Sequence, residues 1–157
     1  MYREQKQYGR NPELVVRSKT TFLHPLRWHT AARVFTCSWS DFFHEAADAW
    51  RADAWAIIRA TPHLTYQILT KRVENIPARL PEDWGAGWPN VWLGVSVENP
   101  RWEERIGILS DIPARIRFVS AEPLLGPVML HEDHRVDWVI VGGESGASCR
   151  PMDLEWV

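Results

Sequence analysis

The stretch Val91-Trp92-Leu93-Gly94-Val95-Ser96-Val97-Glu98 is a short apolar run, rich in β-branched residues, that ends in a carboxylate. It follows the turn formers Pro89-Asn90 and precedes Asn99-Pro100. A run of this kind between turn formers is typical of a buried strand. Four other stretches share its character and are also predicted to be strands: 34–38, 64–69, 116–120 and 136–141.

Helical patterns lie between some of these strands. A first amphipathic helix has apolar residues at positions i, i+4, i+7 and i+8, namely Trp50, Ala54, Ile57 and Ile58. A second has them at i, i+4 and i+7, namely Trp102, Ile106 and Leu109, and Asn99 is placed to cap its start. A shorter helix limited by Pro77 is predicted over residues 71–80, and a loop with little helix over residues 123–135.

The spacing of the strands decides between fold classes. Their starts lie 20 to 30 residues apart, which is typical of βα units and a parallel sheet. An open doubly wound sheet and a (β/α) barrel both fit, but no glycine-rich dinucleotide fingerprint follows an early strand. A complete eightfold barrel needs about 250 residues. We therefore expect an α/β fold: a partial (β/α) TIM-barrel-like parallel sheet of five strands, a fragment of a larger domain. Residues 1–32 are expected to be an irregular N-terminal segment, and residues 33–157 the partial barrel.

Composition excludes several classes of protein. The 157 residues carry 18 Lys and Arg against 20 Asp and Glu, so the net charge of −2 does not indicate nucleic-acid binding. No apolar run approaches the roughly 20 residues of a membrane helix, and no signal pattern opens the chain, so we expect a cytoplasmic protein. Two cysteines, Cys37 and Cys149, exclude a disulfide scaffold and a four-cysteine zinc site. Cys37 is expected inside the first strand, in the core.

Polar residues follow every predicted strand. In parallel α/β folds the carboxyl ends of the strands face one shared crevice, so these residues are candidates for a ligand site. The alternative is that each side chain only caps its own helix. Crowded carboxylates repel one another, so a basic residue is expected among them. The ligand-binding candidates are Asp41, Lys71, Arg72, Glu98, Glu122, Gly142, Gly143 and Glu144.

Several motifs appear in an order seen in one known family. They are 34–44 (Val34 to His44), 69–72 (Leu69 to Arg72), 89–98 (Pro89 to Glu98), 120–127 (Ser120 to Pro127), 139–146 (Val139 to Gly146) and 150–152 (Arg150 to Met152). In this order they resemble the phage-protein family of uncharacterised function named for gene products 37 and 68. The resemblance covers nearly the whole chain.

The resemblance implies chemistry for full-length relatives. Members of that family typically carry a three-cysteine motif near the N-terminus, which looks like the iron–sulfur loop of radical-SAM enzymes, themselves partial (β/α) barrels. An iron–sulfur cluster and S-adenosylmethionine are therefore implied in those relatives. Here Met1 aligns just after that motif, so we expect an N-terminally truncated chain with neither cofactor and without the catalytic activity. The alternative is a non-catalytic protein of a phage or mobile element that binds an unknown small molecule or a partner protein.

Overall fold

The computed structural model describes residues 15–38 and 40–157. The strands are β1 (Ala32–Thr36), β2 (Leu64–Thr70), β3 (Val91–Ser96), β4 (Ile116–Ala121) and β5 (Trp138–Val141). The α-helices of the described residues are α1 (Asp48–Ala60) between β1 and β2, and α2 (Glu104–Asp111) between β3 and β4.

The five strands form one parallel sheet in the order β1-β2-β3-β4-β5, curled into a half-barrel. Its register aligns Tyr66 with Val91, and Val95 with Val119. The predicted α/β fold, with five sequential parallel strands, is therefore confirmed. Because all the strands run the same way, their carboxyl ends form one edge of the sheet, which we call the carboxyl rim.

The main core lies between the sheet and the helices. Alternate residues of β2 and β3 point into it, because successive strand side chains face opposite sides of a sheet. The fully buried strand residues there include Leu64, Ile68, Leu93 and Val95. From α1 the core receives Trp55 and Ile58, and from α2 it receives Ile106 and Leu109.

The two predicted amphipathic helices are present. In α1 the most buried tryptophan is Trp55, whereas the predicted face had placed Trp50 there. In α2 the predicted positions Ile106 and Leu109 are buried. The Asn99 side chain accepts a hydrogen bond from the Arg101 backbone N–H, as expected of a cap.

The opposite face of the sheet is the concave side of the half-barrel. Trp92, Phe118 and Trp138 form an aromatic group there, with the Trp92 and Trp138 ring centroids 5.6 Å apart. Gly94 makes room for Phe118, since a Cβ at this position would overlap its ring. Strand alternation over residues 136–141 predicts Trp138 on a buried face, but it is 40% exposed, because β5 is an edge strand of the sheet that the described residues form.

Two other expectations are corrected. The first strand ends at Thr36, so Cys37 lies in the turn after it, with a φ of 61°, and is only half-buried. Residues 71–80 form two separate 3-10 turns, Val73–Asn75 and Pro77–Arg79, because Pro77 cannot continue a helix begun before it. By contrast, the predicted loop over 123–135 contains no helix.

The N-terminal segment is only partly described. Residues 1–14 lie outside the described residues, and residues 15–31 contain one 3-10 turn, His24–Arg27. Across the described part of the chain, none of the helices has the length and apolar character that a membrane crossing requires.

Candidate functional site

The carboxyl ends of β1, β2 and β3 bring polar side chains into contact. Sequential parallel strands place the loops that follow them side by side at the carboxyl rim. Six residues from these loops, from the end of β2 and from α2 are joined by hydrogen bonds and ion pairs, and we call them the rim network. They are Asp41, Thr70, Lys71, Arg72, Glu98 and Arg105. Lys71 takes part through its backbone N–H and its side chain.

Asp41 is the most extensively hydrogen-bonded carboxylate of the rim network. Its Oδ1 accepts from the Phe43 backbone N–H at 2.9 Å and from the Thr70 hydroxyl at 2.7 Å. Its Oδ2 accepts from the Lys71 backbone N–H at 3.0 Å and from Arg72 Nη1 at 3.1 Å. The side chain is 11% exposed. Asp41 therefore fastens the loop after β1 to the loop after β2, which is a positioning role.

Glu98 is held between two cations. One carboxylate oxygen pairs with Lys71 Nζ, and the other lies 3.9 Å from Arg105 Nη1. Arg105 Nη1 also donates to the Ser96 carbonyl at 2.8 Å, which fixes the guanidinium beside the end of β3. The Glu98 carbonyl accepts from the Leu125 backbone N–H at 2.7 Å. Both the side chain and the backbone of Glu98 are therefore anchored.

Lys71 is the least constrained member of the rim network. Its side chain is 46% exposed, whereas that of Glu98 is 11% exposed. Partial burial lowers the pKa of Lys71, the positive charge of Arg105 lowers it further, and Asp41 acts in the opposite direction. Burial is also the main cause that lowers the pKa of Arg105. The Arg105 charge therefore acts on Lys71. Of these two cations, Lys71 is the one exposed enough to contact a ligand in solvent.

Glu122 and Gly142 form a separate contact at the ends of β4 and β5. A Cβ added to Gly142 would lie 2.6 Å from Glu122 Oε1, so the glycine leaves the space that this side chain occupies. The Gly142 carbonyl accepts from the Leu124 backbone N–H at 2.8 Å. A Cβ added to Gly143 would lie 3.8 Å from the Met152 Cβ, an ordinary contact.

Glu144 is bound by a residue that follows it closely in the chain. Its Oε2 accepts from Arg150 Nε and from the Arg150 backbone N–H, both at 2.8 Å, and its Oε1 accepts from Arg150 Nη2 at 2.7 Å. The Arg150 side chain, followed by its backbone N–H, lowers the pKa of Glu144 to about 2. Glu144 is thus an ionised carboxylate whose two oxygens are both occupied.

The sequence candidates therefore fall into three groups. Asp41, Lys71, Arg72 and Glu98 share the rim network. Within residues 15–38 and 40–157, no ion pair connects that network with the Glu122–Gly142 contact or with the Glu144–Arg150 pair. The convergence of all the candidates on a single hollow stays a prediction.

Arg105 is a member of the rim network that was not among the sequence candidates. It lies within α2, three residues after Trp102 and four before Leu109. Those positions belong to the buried stripe, so a cation there is a detectable anomaly. Its guanidinium stacks 4.1 Å from the Trp102 ring centroid, which accommodates its burial.

An outer groove lies on the helix side of the sheet. Its apolar lining comes from Trp55 and Ala56 of α1 and from Leu80 and Pro81. Several charges around it are paired, with Arg79 Nε 2.9 Å from Asp48 Oδ1 and Arg59 bound to Asp83. These charged groups are therefore held by partners, as those of the rim network are.

The cysteines do not fit an iron–sulfur cluster. Such clusters are held by several Cys thiolates, and the chain has two cysteines, which follow strands at opposite edges of the sheet. Burial raises the pKa of Cys37, which disfavours its thiolate, and Cys149 is exposed. Among the residues that the structure describes, no three His, Cys, Asp or Glu side chains are grouped so as to hold a metal ion.

The chain was also compared with known proteins. The family model described as "Protein of unknown function (DUF5131)" matches residues 2–157. The chain belongs to the DUF5131 family. No curated protein and no solved structure matches it. In this DUF5131 protein the rim network is the candidate functional site.

Proposed function

We propose that this DUF5131 protein binds a small polar ligand at the carboxyl rim of its half-barrel, next to Lys71 and Glu98. The observation that carries the proposal is the buried Glu98 carboxylate between Lys71 and Arg105, at the strand ends where parallel α/β folds build their sites. Isolating charges from water costs stability, and natural chains retain such arrangements mainly at functional sites.

The division of roles within the rim network supports a binding function. Asp41 is occupied by four donors, which hold the loop after β2 in place. Lys71 and Arg72 project from that loop, and their side chains are 46% and 36% exposed. A fixed backbone that carries partly exposed charged side chains is typical of a pre-organised binding group.

We further propose a phage or mobile-element origin and radical-SAM-like chemistry in relatives that carry the three-cysteine motif. The order of sequence motifs and the parallel half-barrel support this interpretation. An iron–sulfur cluster and S-adenosylmethionine would then belong to relatives that carry the three-cysteine motif. This chain, with cysteines that do not fit a cluster, would bind its ligand in the cytoplasm without that chemistry. Binding of a partner protein, rather than a small molecule, is the second candidate function.

Two experiments test the cluster-free role and the binding of a small molecule at the rim. Anaerobic reconstitution with ferrous iron and sulfide is expected to leave the protein without stoichiometric iron, and a brown iron-containing product would contradict a cluster-free role. Calorimetric titration with S-adenosylmethionine then tests whether this ligand still binds without a cluster. A wild-type heat signal that Lys71→Met abolishes, with Lys19→Met as the control, would assign that binding to the rim. Lys19 serves as the control because it is an exposed lysine in the N-terminal segment.

A further inference from the structure

We propose that the rim network recognises an anionic group, a phosphate or a carboxylate, and that Glu98 occupies Lys71 until such a ligand displaces it. This inference rests on the proposed function, since it names the ligand class of the same site. It makes Lys71 and Arg72 the recognition groups and Glu98 an internal competitor.

The cationic side chains of the rim network are more exposed than its carboxylates, which favours binding of an anion. The two carboxylates, Asp41 and Glu98, have side chains that are each 11% exposed. The side chains of Lys71 and Arg72 are three to four times as exposed, at 46% and 36%. The more exposed charges of Lys71, Arg72, Asp41 and Glu98 are therefore the positive ones. An approaching cation would be repelled by Lys71, Arg72 and Arg105.

Arg72 has unused capacity for an anion. It donates to Asp41 through Nη1, and a guanidinium carries further N–H donors that match a planar or tetrahedral oxyanion. Glu45 lies 4.0 Å from Arg72 Nε, beyond normal hydrogen-bond distance, and its Oε1 is already bound by the Asn75 amide at 2.7 Å. Arg72 can therefore engage a ligand without giving up Asp41.

Glu98 can release Lys71 without losing all its cationic partners. Arg105 remains 3.9 Å from its second oxygen, and Arg105 is itself held by Ser96 and by the Trp102 ring. Lys71 by contrast has a flexible four-carbon stem. An incoming anion would exchange one charge pair for another at Lys71, while Arg105 keeps the buried Glu98 carboxylate compensated.

The test is calorimetric titration of the full chain with pyrophosphate and, separately, with citrate as a carboxylate probe. Glu98→Gln removes the competing charge and is expected to tighten binding several-fold. Lys71→Met is expected to weaken it by about tenfold or more, which corresponds to about 1.4 kcal/mol. Lys71→Arg keeps the charge and should retain binding, and Lys19→Met should match the wild type. Circular dichroism and urea unfolding of each variant show that it is folded.

The opposite signs expected for Glu98→Gln and Lys71→Met make the inference falsifiable. Weaker anion binding in folded Glu98→Gln, or unchanged binding in Lys71→Met, would overturn it. If neither probe binds but a neutral or cationic compound shifts the amide resonances of residues 70–72, the anion inference fails and the proposed ligand site stands. If no compound of any charge class perturbs these residues, both fail. Preference for pyrophosphate or for citrate would identify which anion the site accepts.

Discussion

Asp41 and Arg72 follow adjacent strands, and Arg72 Nη1 donates to Asp41 Oδ2 at 3.1 Å. The same Asp41 carboxylate accepts backbone N–H groups from Phe43 and Lys71. One side chain therefore connects the ends of β1 and β2 and sets the position from which Lys71 reaches Glu98.

Replacing Asp41 by Asn should destabilise the protein by about 2–3 kcal/mol, because charge-assisted hydrogen bonds and a mostly buried ion pair are lost. The Asn amide would also turn a donor toward groups that are themselves donors. Urea unfolding measures the change.

Asp53→Asn is the matched control for this prediction. Asp53 pairs with Arg17 on the surface, where the two side chains are 60% and 42% exposed. Exposed ion pairs contribute little to stability, so the free energy of unfolding should fall by less than about 0.5 kcal/mol. Equal losses in the two variants would show that Asp41 has no special structural role.

Gly142→Ala should cost about 1 kcal/mol, because the added methyl group would lie 2.6 Å from Glu122 Oε1 and force this side chain to move. In a Glu122→Ala background the same change should be nearly neutral, and a double-mutant cycle measures the difference.

Gly107→Ala supplies a control of opposite sign. Gly107 lies inside α2, and nothing is within 4 Å of the position its Cβ would take. Alanine there should stabilise the helix by about 0.5–1 kcal/mol. A Gly142→Ala cost that persists without the Glu122 side chain would refute the proposed contact.

The Glu144–Arg150 pair should give a distinct pH dependence. Arg150 lowers the pKa of Glu144 from 4.5 to about 2 in the folded state. Because the folded pKa is depressed, the pair's contribution to stability is fully present above about pH 4.5 and is lost as the pH falls through about 2.

Carboxyl-carbon NMR titration of Glu144 checks this directly. In Arg150→Ala its pKa should return toward the ordinary value for a glutamate, while in Arg101→Ala, which changes another exposed arginine, it should stay low. A Glu144 pKa near 4.5 in the wild type would contradict the bidentate contact.

The two cysteines should differ in reactivity. Burial raises the pKa of the half-buried Cys37, which reduces its thiolate fraction at pH 8, whereas Cys149 is exposed. Reaction with Ellman's reagent should be biphasic, and Cys149→Ser should remove the fast phase. Removal of the slow phase instead would reverse the assignment.

Much of the sheet could be predicted from sequence because its signals are local. Apolar runs at 64–69 and 91–97, separated by turn formers, specify strands, and the spacing between runs is long enough for parallel crossovers. The prediction was wrong at Trp138, because alternation specifies only on which face of the sheet a side chain lies. It does not specify whether the strand lies at the edge of the sheet, where the side chain stays exposed.

The candidate site could be predicted only in part. Strand ends identify the loops that carry Asp41, Lys71 and Glu98, since parallel topology alone brings those loops together. The direction of each side chain depends on its partners. Glu144 turns to Arg150, six residues later in the chain, and Glu122 lies against Gly142.

Arg105 illustrates a different limit. Its contact with Glu98 depends on the length of an arginine side chain that extends from α2 to the end of β3. Strand-end reasoning does not consider residues within a helix. A cation in the apolar stripe formed by Trp102 and Leu109 is the sequence signal that would have identified it.

The most direct test of the rim as a ligand site is chemical-shift mapping of the ¹⁵N-labelled protein, titrated separately with pyrophosphate and S-adenosylmethionine. The account predicts that at least one probe gives saturable shifts concentrated on the amides of residues 41–43, 70–72 and 96–98. Saturable shifts centred on the outer groove at residues 78–82 would contradict it, and so would the absence of saturable rim shifts with these probes and with neutral and cationic compounds alike.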